Sequence, residues 1–362
     1  MIGVLIGLMT TLAVTQVLVI SEGAKRTTTS GSDAQINGAL ALSALQRSMQ
    51  PAGYGFGANP TSVGCTLTAQ FNGAAVPGFA TRLVPVTITS GASGAPDSIR
   101  ILASGKDSYS LPLRVVSPGY NPTIAANKDN FTVAATRGVE GPRTDAGGTV
   151  IAPGDLMLAV IGADQACELF QATATPSGTT PKVDRADNAA KWNAVGFPTL
   201  IYDEGKYLVN MGSIIDRTFS IGNTSLQVTS LKVAADATPS YEGPLEMLPN
   251  IVNLKAMYGK DTNGDSLVDT WDNTTPTTNA GWLQVVAVRI AVVARSVQYE
   301  KEEVTTSNPL WDVGAALTVA GTATCGTSKC LSLKVDNLTD WKHYRYKIFD
   351  TVIPLRNMLW NS

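Results

Sequence analysis

The sequence predicts an α+β protein, with one long N-terminal helix followed by a body of antiparallel strands and long, β-rich loops. Three observations carry this reading. The first twenty residues are uncharged, and a helix-forming pattern continues after them to Gln50. From residue 55 onward, short β-branched runs alternate with clusters of Gly, Pro, Asn, Ser and Thr. The body contains no sustained helix–strand alternation and no repeat of fixed period.

The opening "MIGVLIGLMTTLAVTQVLVI" is long enough, at about 1.5 Å per residue, to span roughly 30 Å, the thickness of a bilayer core. A cleavable signal peptide is a poor reading of it, because no basic residue precedes Lys25 and no A-x-A motif follows. The next stretch, "EGAKRTTTSG", holds Gly23, Gly31 and three consecutive Thr. Each glycine costs about 1 kcal/mol of helix propensity, so the helix is expected to bend or melt here.

The second helical stretch, "GSDAQINGALALSALQRSMQ", stops at Pro51 and Gly53. On a helical wheel Leu42, Leu45 and Met49 share one side, and Ile36 and Leu40 fall almost opposite. A helix that is apolar on two sides is usually covered on two sides, here by the chain's own body and by another subunit. The organisation that follows is a helix over residues 1–50, with 1–20 as membrane span or filament core and 21–50 as the amphipathic half, and a β-rich head over 51–362.

With 362 residues, 44% of them hydrophobic, the head can bury a sizeable core in one large or two modest domains. A net charge of -2, with Lys and Arg spread singly, leaves no basic stripe to neutralise a phosphate backbone, which argues against nucleic-acid binding. Low charge content and abundant Thr, Ser, Gly and Asn are typical of secreted β-rich surfaces. Cys65, Cys167, Cys325 and Cys330 lack the spacing of a zinc site. Three disulfide pairings are open to them, and proximity favours Cys325 with Cys330, which leaves Cys65 with Cys167.

The strongest strand is in "GWLQVVAVRIAVVARSVQYEKE". Val286, Val288, Ile290 and Val292 alternate to one face, and Arg289 and Arg295 point to the other with Ala287, Ala291 and Val293, as in a central strand with a partly solvated face. Just before it, "DTNGDSLVDTWD" places oxygen donors at Asp261, Asn263 and Asp265, the carbonyl of Leu267, then Asp269 and Asp272. These match positions one, three, five, seven, nine and twelve of a looped Ca²⁺ site. Ser266 replaces the usual glycine at position six, Asp272 is shorter than the usual Glu, and no helix pair flanks the loop, so an EF-hand sensor is not expected. A loop-stabilising Ca²⁺ is expected instead, the alternative being an acidic turn that binds nothing.

For catalysis the inventory is thin. His343 is the only histidine, in "DWKHYRYKIFD", and reads as structural or superficial. There is no nucleophile elbow, Walker loop or dinucleotide fingerprint, so an enzyme is not expected.

Taken in order, the apolar helix, "ALSALQRSMQPAGYGFG", "YGKDTNGDSLVDTW", "WLQVVAVRIAVVARS" and "WKHYRYKIFDTVIPLRNMLW" resemble a PilW-type minor pilin of bacterial type IV pili. The resemblance implies a pilin-like architecture in which the first half of the helix sits in the inner membrane before assembly and in the filament core afterwards. The second half would then pack on an antiparallel sheet. Partners would be other pilin subunits, and the assembled protein would lie on the cell surface, with a possible surface ligand for the head. In the family a basic leader ending in glycine, a methylated phenylalanine and a glutamate precede the stretch corresponding to "MIGVLIGL", so an internal start or a trimmed sequence is expected at Met1. Other readings of the same pattern are a type II secretion pseudopilin, a main subunit of a pilus-like filament, and a membrane-anchored calcium-dependent adhesin.

Overall fold

A computed structural model describes residues 2–79, 81–107, 111–177, 179–314 and 323–359, without the side chains of residues 5, 19, 20, 22–30 and 323. The N-terminal helix is a single element, Ile2–Met49, about 70 Å long at the standard rise. The break expected at "EGAKRTTTSG" is not there. Once a helix is nucleated on both flanks, each added residue gains a backbone hydrogen bond, and that gain offsets isolated glycine penalties.

From residue 34 the helix buries a narrow stripe of Ala34, Gly38, Ala41, Leu45 and Met49, spaced four, three, four and four residues apart. The stripe lies on the strands Tyr346–Pro354 and Val285–Arg295. Small residues let the two backbones come close, and at Gly38 a Cβ would run into the ring of Phe349. Leu45 and Met49 are fully enclosed, and Leu42 packs partly buried against the same core. Beyond Gln50 the chain turns at Gly53, whose φ of +78° lies in the left-handed region that favours glycine. Its N–H donates to the carbonyl of Leu102 at 2.9 Å, which anchors the helix end to the head.

The sheet under the helix has four antiparallel strands, in the order Thr270–Asp272, Ile251–Lys260, Val285–Arg295, Tyr346–Pro354. As the alternation predicts, Val288, Ile290 and Val292 join the core on the helix side, but Val286 does not, because a register shift opposite Gly259 and Lys260 puts Val285 there instead. The opposite face is not partly solvated as expected. A three-stranded sheet (Leu310–Gly314, Ala323–Cys325, Ser328–Ser332) brings Trp311 and Val313 over Ala291 and Val293, with Leu333 and Val335 following it into the same cluster. Arg289 fastens the two layers. It donates to Asp350 at 2.8 Å and to the carbonyls of Asp312 and Val313, and its guanidinium lies 5.1 Å from the Trp311 ring centroid.

A five-stranded sheet stands beside these layers, in the order Pro239–Pro249, Ser225–Val233, Ile215–Gly222, Ser98–Ala103, Val86–Thr89. It contributes Ile99, Ile101, Phe219 and Leu226 to the main core. A buried ion pair joins it to the sheet under the helix, with Lys255 Nζ 2.5 Å from Asp97. Burial pushes the Asp97 carboxyl up, against the downward pull of Lys255 and of the Ala256 and Gly91 N–H donors.

Ala103 and Ile215 are direct partners in this sheet, although more than a hundred residues separate them. The intervening chain forms most of a seven-stranded sheet that is mixed, because Thr66–Phe71 runs parallel to Ala166–Gln171. Behind it lies a second core, in which Phe131 stacks on Tyr120 and Phe170 at centroid distances of 4.2 and 4.7 Å. Within it the buried Glu168 carboxylate accepts from the N–H groups of Thr199 and Leu200 and from the Tyr202 hydroxyl. Cys65 is bonded to Cys167 and Cys325 to Cys330, the pairing favoured by proximity in sequence.

Candidate assembly interface

Among the described residues, the longest run of exposed large apolar side chains is on the helix. Up to residue 18 every described side chain is exposed, from Ile2 (79%) through Leu12 (54%) to Leu18 (58%). The threonines in this stretch do not offer polar groups to a partner. Thr10 donates its hydroxyl to the carbonyl of Ile6 at 2.8 Å, Thr11 to that of Gly7 at 3.0 Å and Thr15 to that of Thr11 at 2.9 Å. Apart from the exposed Gln16 amide the surface is apolar in chemistry as well as composition, and binding to it would depend mainly on shape and area, at about 25 cal/mol per Å² removed from water.

Farther along, Ile36 and Leu40 remain about half exposed on the side away from the sheet. Of the two sides expected to be covered, the Leu45 side is covered by the head, and among the described residues nothing of this chain covers the Ile36 side. Among the described residues no helix is long and apolar enough to cross a membrane. Met1 and the side chains of Leu5, Val19 and Ile20, which belong to the expected 1–20 span, lie outside the described residues.

The acidic loop closes on itself. Asp261 is buried, and its carboxylate accepts from the N–H groups of Asn263, Gly264 and Ser266 at 3.2, 2.6 and 2.7 Å. Asp265 accepts from the N–H of Leu267, whose side chain is exposed. Asn263 Nδ2 donates to Asp265 and Asp269. The N–H and hydroxyl of Thr262 hold the exposed Asp269 carboxyl below the usual carboxylate range. Ser266, at the position where glycine is usual, has a φ of +66° and so makes the turn that glycine would make.

Asp272 stands apart from these donors, bound through both oxygens to Lys260 at 2.7 and 2.8 Å. Among the described residues no three His, Cys, Asp or Glu side chains are grouped closely enough to hold a metal ion. The loop therefore brings together Asp261, Asn263, Asp265 and Asp269 through their own hydrogen bonds.

The side chains considered for catalysis have structural partners. His343 Nδ1–H donates to the carbonyl of Glu300 at 2.9 Å, and its ring stacks on Tyr299 at 4.7 Å. Arg295 lies 4.3 Å over the Tyr344 ring and reaches Asn250. Sequence reasoning missed the layer centred on Trp311 and the part played by Arg289 in fastening it. The one available signal was the apolar character of Ala291 and Val293 on the face that carries the arginines.

Comparison with known proteins agrees with the sequence resemblance in the C-terminal region. Residues 218–357 match the family model for PilW, the type IV pilus-assembly protein W. That segment includes the whole sheet under the helix and the layer behind it. No curated protein matches the chain. Among solved structures, a type IV-like pilin from Thermus thermophilus aligns over 90% of this chain and 96% of its own, at 8% identity and a TM-score of 0.31.

Proposed function

We propose that this chain is a structural subunit of a type IV pilus-like filament, a minor pilin acting in filament initiation or at the tip. The opening of its helix would sit in the inner membrane before assembly and among neighbouring subunits at the cell surface afterwards. One observation carries the reading. A helix docked by a small-residue stripe on the PilW-matched sheet continues into an uncharged half that its own head leaves uncovered. Such a surface is costly in water and is satisfied by lipid or by other helices.

The test is to place a photo-crosslinking residue at Ile36 or Leu40 in the full chain and to examine sheared, purified filaments. The expected outcome is recovery of the chain in filaments with crosslinks to other subunits. Its absence from carefully enriched filaments and tips would overturn the proposal.

Within this reading the Asp261–Asp272 loop would take Ca²⁺. Asp261, Asn263, Asp265 and Asp269 are linked through hydrogen bonds of one turn with left-handed backbone at Ser266, and a dication drawing their oxygens together would offset the charge of the three carboxylates. Asp272 contributes less because Lys260 holds it. Millimolar Ca²⁺ is expected to raise the melting temperature of the wild type, and Asp265→Ala to abolish the shift. An unchanged wild-type melting temperature would remove calcium from the account.

A further inference from the structure

The sheets of this molecule end in two kinds of edge. The outer strand Pro239–Pro249 carries prolines at 239, 244 and 249, glutamates at 242 and 246, and two register shifts. The other outer strands are short or interrupted. Val86–Thr89 has four residues, Thr270–Asp272 three, and Ala74–Ala75 and Leu113–Arg114 two each. Leu310–Gly314 is bulged after Asp312, and Ala323–Cys325 is closed by the Cys325–Cys330 bond. Proline, charge, bulges and shortness are the usual means of keeping an edge from pairing.

Tyr346–Pro354 is neither short nor bulged, and of its two charges Asp350 is held by Arg289, which leaves Lys347. It runs for nine residues in unbroken register from Arg295↔Tyr346 to Ala287↔Pro354, with proline only at its last position. Two flanking bonds define which backbone groups face outward, since Ser296 N–H donates to the Arg345 carbonyl and Leu355 N–H to that of Val286, each at 2.8 Å. By the alternation of an antiparallel pair, the N–H and C=O of Lys347, Phe349, Thr351 and Ile353 point into the sheet. Those of Tyr346, Ile348, Asp350 and Val352 point away from it. Among the described residues nothing hydrogen-bonds to these four outward pairs.

We propose that this edge accepts an extended segment of a neighbouring filament subunit of different sequence, which adds as a fifth strand. The proposal rests on the filament reading above. Side chains at the edge define what would fit. Phe349 and Ile353 are apolar on the helix side, Ile348 and the half-exposed Val352 on the other, and among the described residues Lys347 forms no ion pair and lies over the Phe349 ring. The incoming strand is therefore apolar on both faces and carries a carboxylate opposite Lys347. A second copy of this chain fits poorly, because antiparallel overlap of all nine residues sets Asp350 against Asp350.

The test compares hydrogen exchange of the full-length chain in detergent with that of the chain in purified filaments. Val352→Pro serves as the variant and Val352→Ala as the side-chain control. Proline at 352 removes an outward donor and no bond of the existing ladder. The expected result is at least about tenfold slower exchange at Ile348, Asp350 and Val352 in filaments. Incorporation of the proline variant should fall by a similar factor while the alanine variant incorporates as wild type. Unchanged exchange in filaments that contain the chain overturns strand addition and leaves the filament reading standing, whether or not the proline variant folds. A proline variant that incorporates normally does the same. Absence of the wild-type chain from filaments overturns both.

Discussion

The two ends of the N-terminal helix meet their surroundings in opposite ways. Between Ala34 and Met49 the sheet-facing positions are small or singly apolar, and each finds a complementary surface on the head. Between Ile2 and Leu18 the helix exposes large apolar side chains around its whole circumference, with Gln16 as its one free polar side chain among those described, and no described part of the head covers it. Both segments are helical although the first is rich in β-branched residues and the second in Ala and Leu, and what sets their surroundings apart is the arrangement of apolar residues. A stripe is suited to one defined partner, whereas an all-round apolar surface is suited to a medium or to several partners at once.

That contrast can be broken most sharply at Leu45. Leu45→Ala in the full chain is expected to lower unfolding free energy by about 2–5 kcal/mol, measured by denaturant titration in detergent. A loss under about 0.5 kcal/mol would mean that the stripe does not hold the helix to the head. Gly38→Val is expected to cost about 1–3 kcal/mol, because its side chain would have to displace the Phe349 ring, and thermal unfolding would show the loss. The smallest effect on folding is expected from Ile36→Ser combined with Leu40→Ser, within about 0.5 kcal/mol of wild type in the isolated chain. The same pair should nevertheless reduce recovery in filaments. If it destabilised the monomer as much as Leu45→Ala, the two sides of the helix would not differ in the way described.

Local patterns made part of this structure legible in the sequence. The period of Leu42, Leu45 and Met49 against Ile36 and Leu40 identified a helix with two faces. The strict alternation from Val286 to Val292 located a central strand. Contacts between distant segments were less accessible. The cover on the Arg289 face comes from Trp311 and Leu333, and nothing near residue 290 encodes their arrival.

In the acidic loop Asp272 has a partner that the sequence reading did not foresee, and the reason is geometric. Tyr258 pairs with Asp272 and Lys260 with Thr270, so Lys260 and Asp272 are diagonal neighbours on one face of a hairpin. Reading the flanking strands as that hairpin would have assigned Asp272 to Lys260. The expected helix break failed for a different reason, since propensity penalties at Gly23 and Gly31 compete with the cooperativity of the whole element.

The pairing of Ala103 with Ile215 has a consequence for how this protein can change over time. The chain leaves the five-stranded sheet at Ala103 and re-enters it beside that point at Ile215, so the two ends of the intervening segment are held together by a framework pairing. For a flexible connection, doubling its length adds only about 0.6 kcal/mol of closure entropy. Within residues 104–214 the exposed hairpin at residues 143–152 can be lengthened at that modest cost, whereas the strands that carry Leu158, Cys167 and Met211 into the main core are tied to the framework by packing and by the Cys65–Cys167 bond.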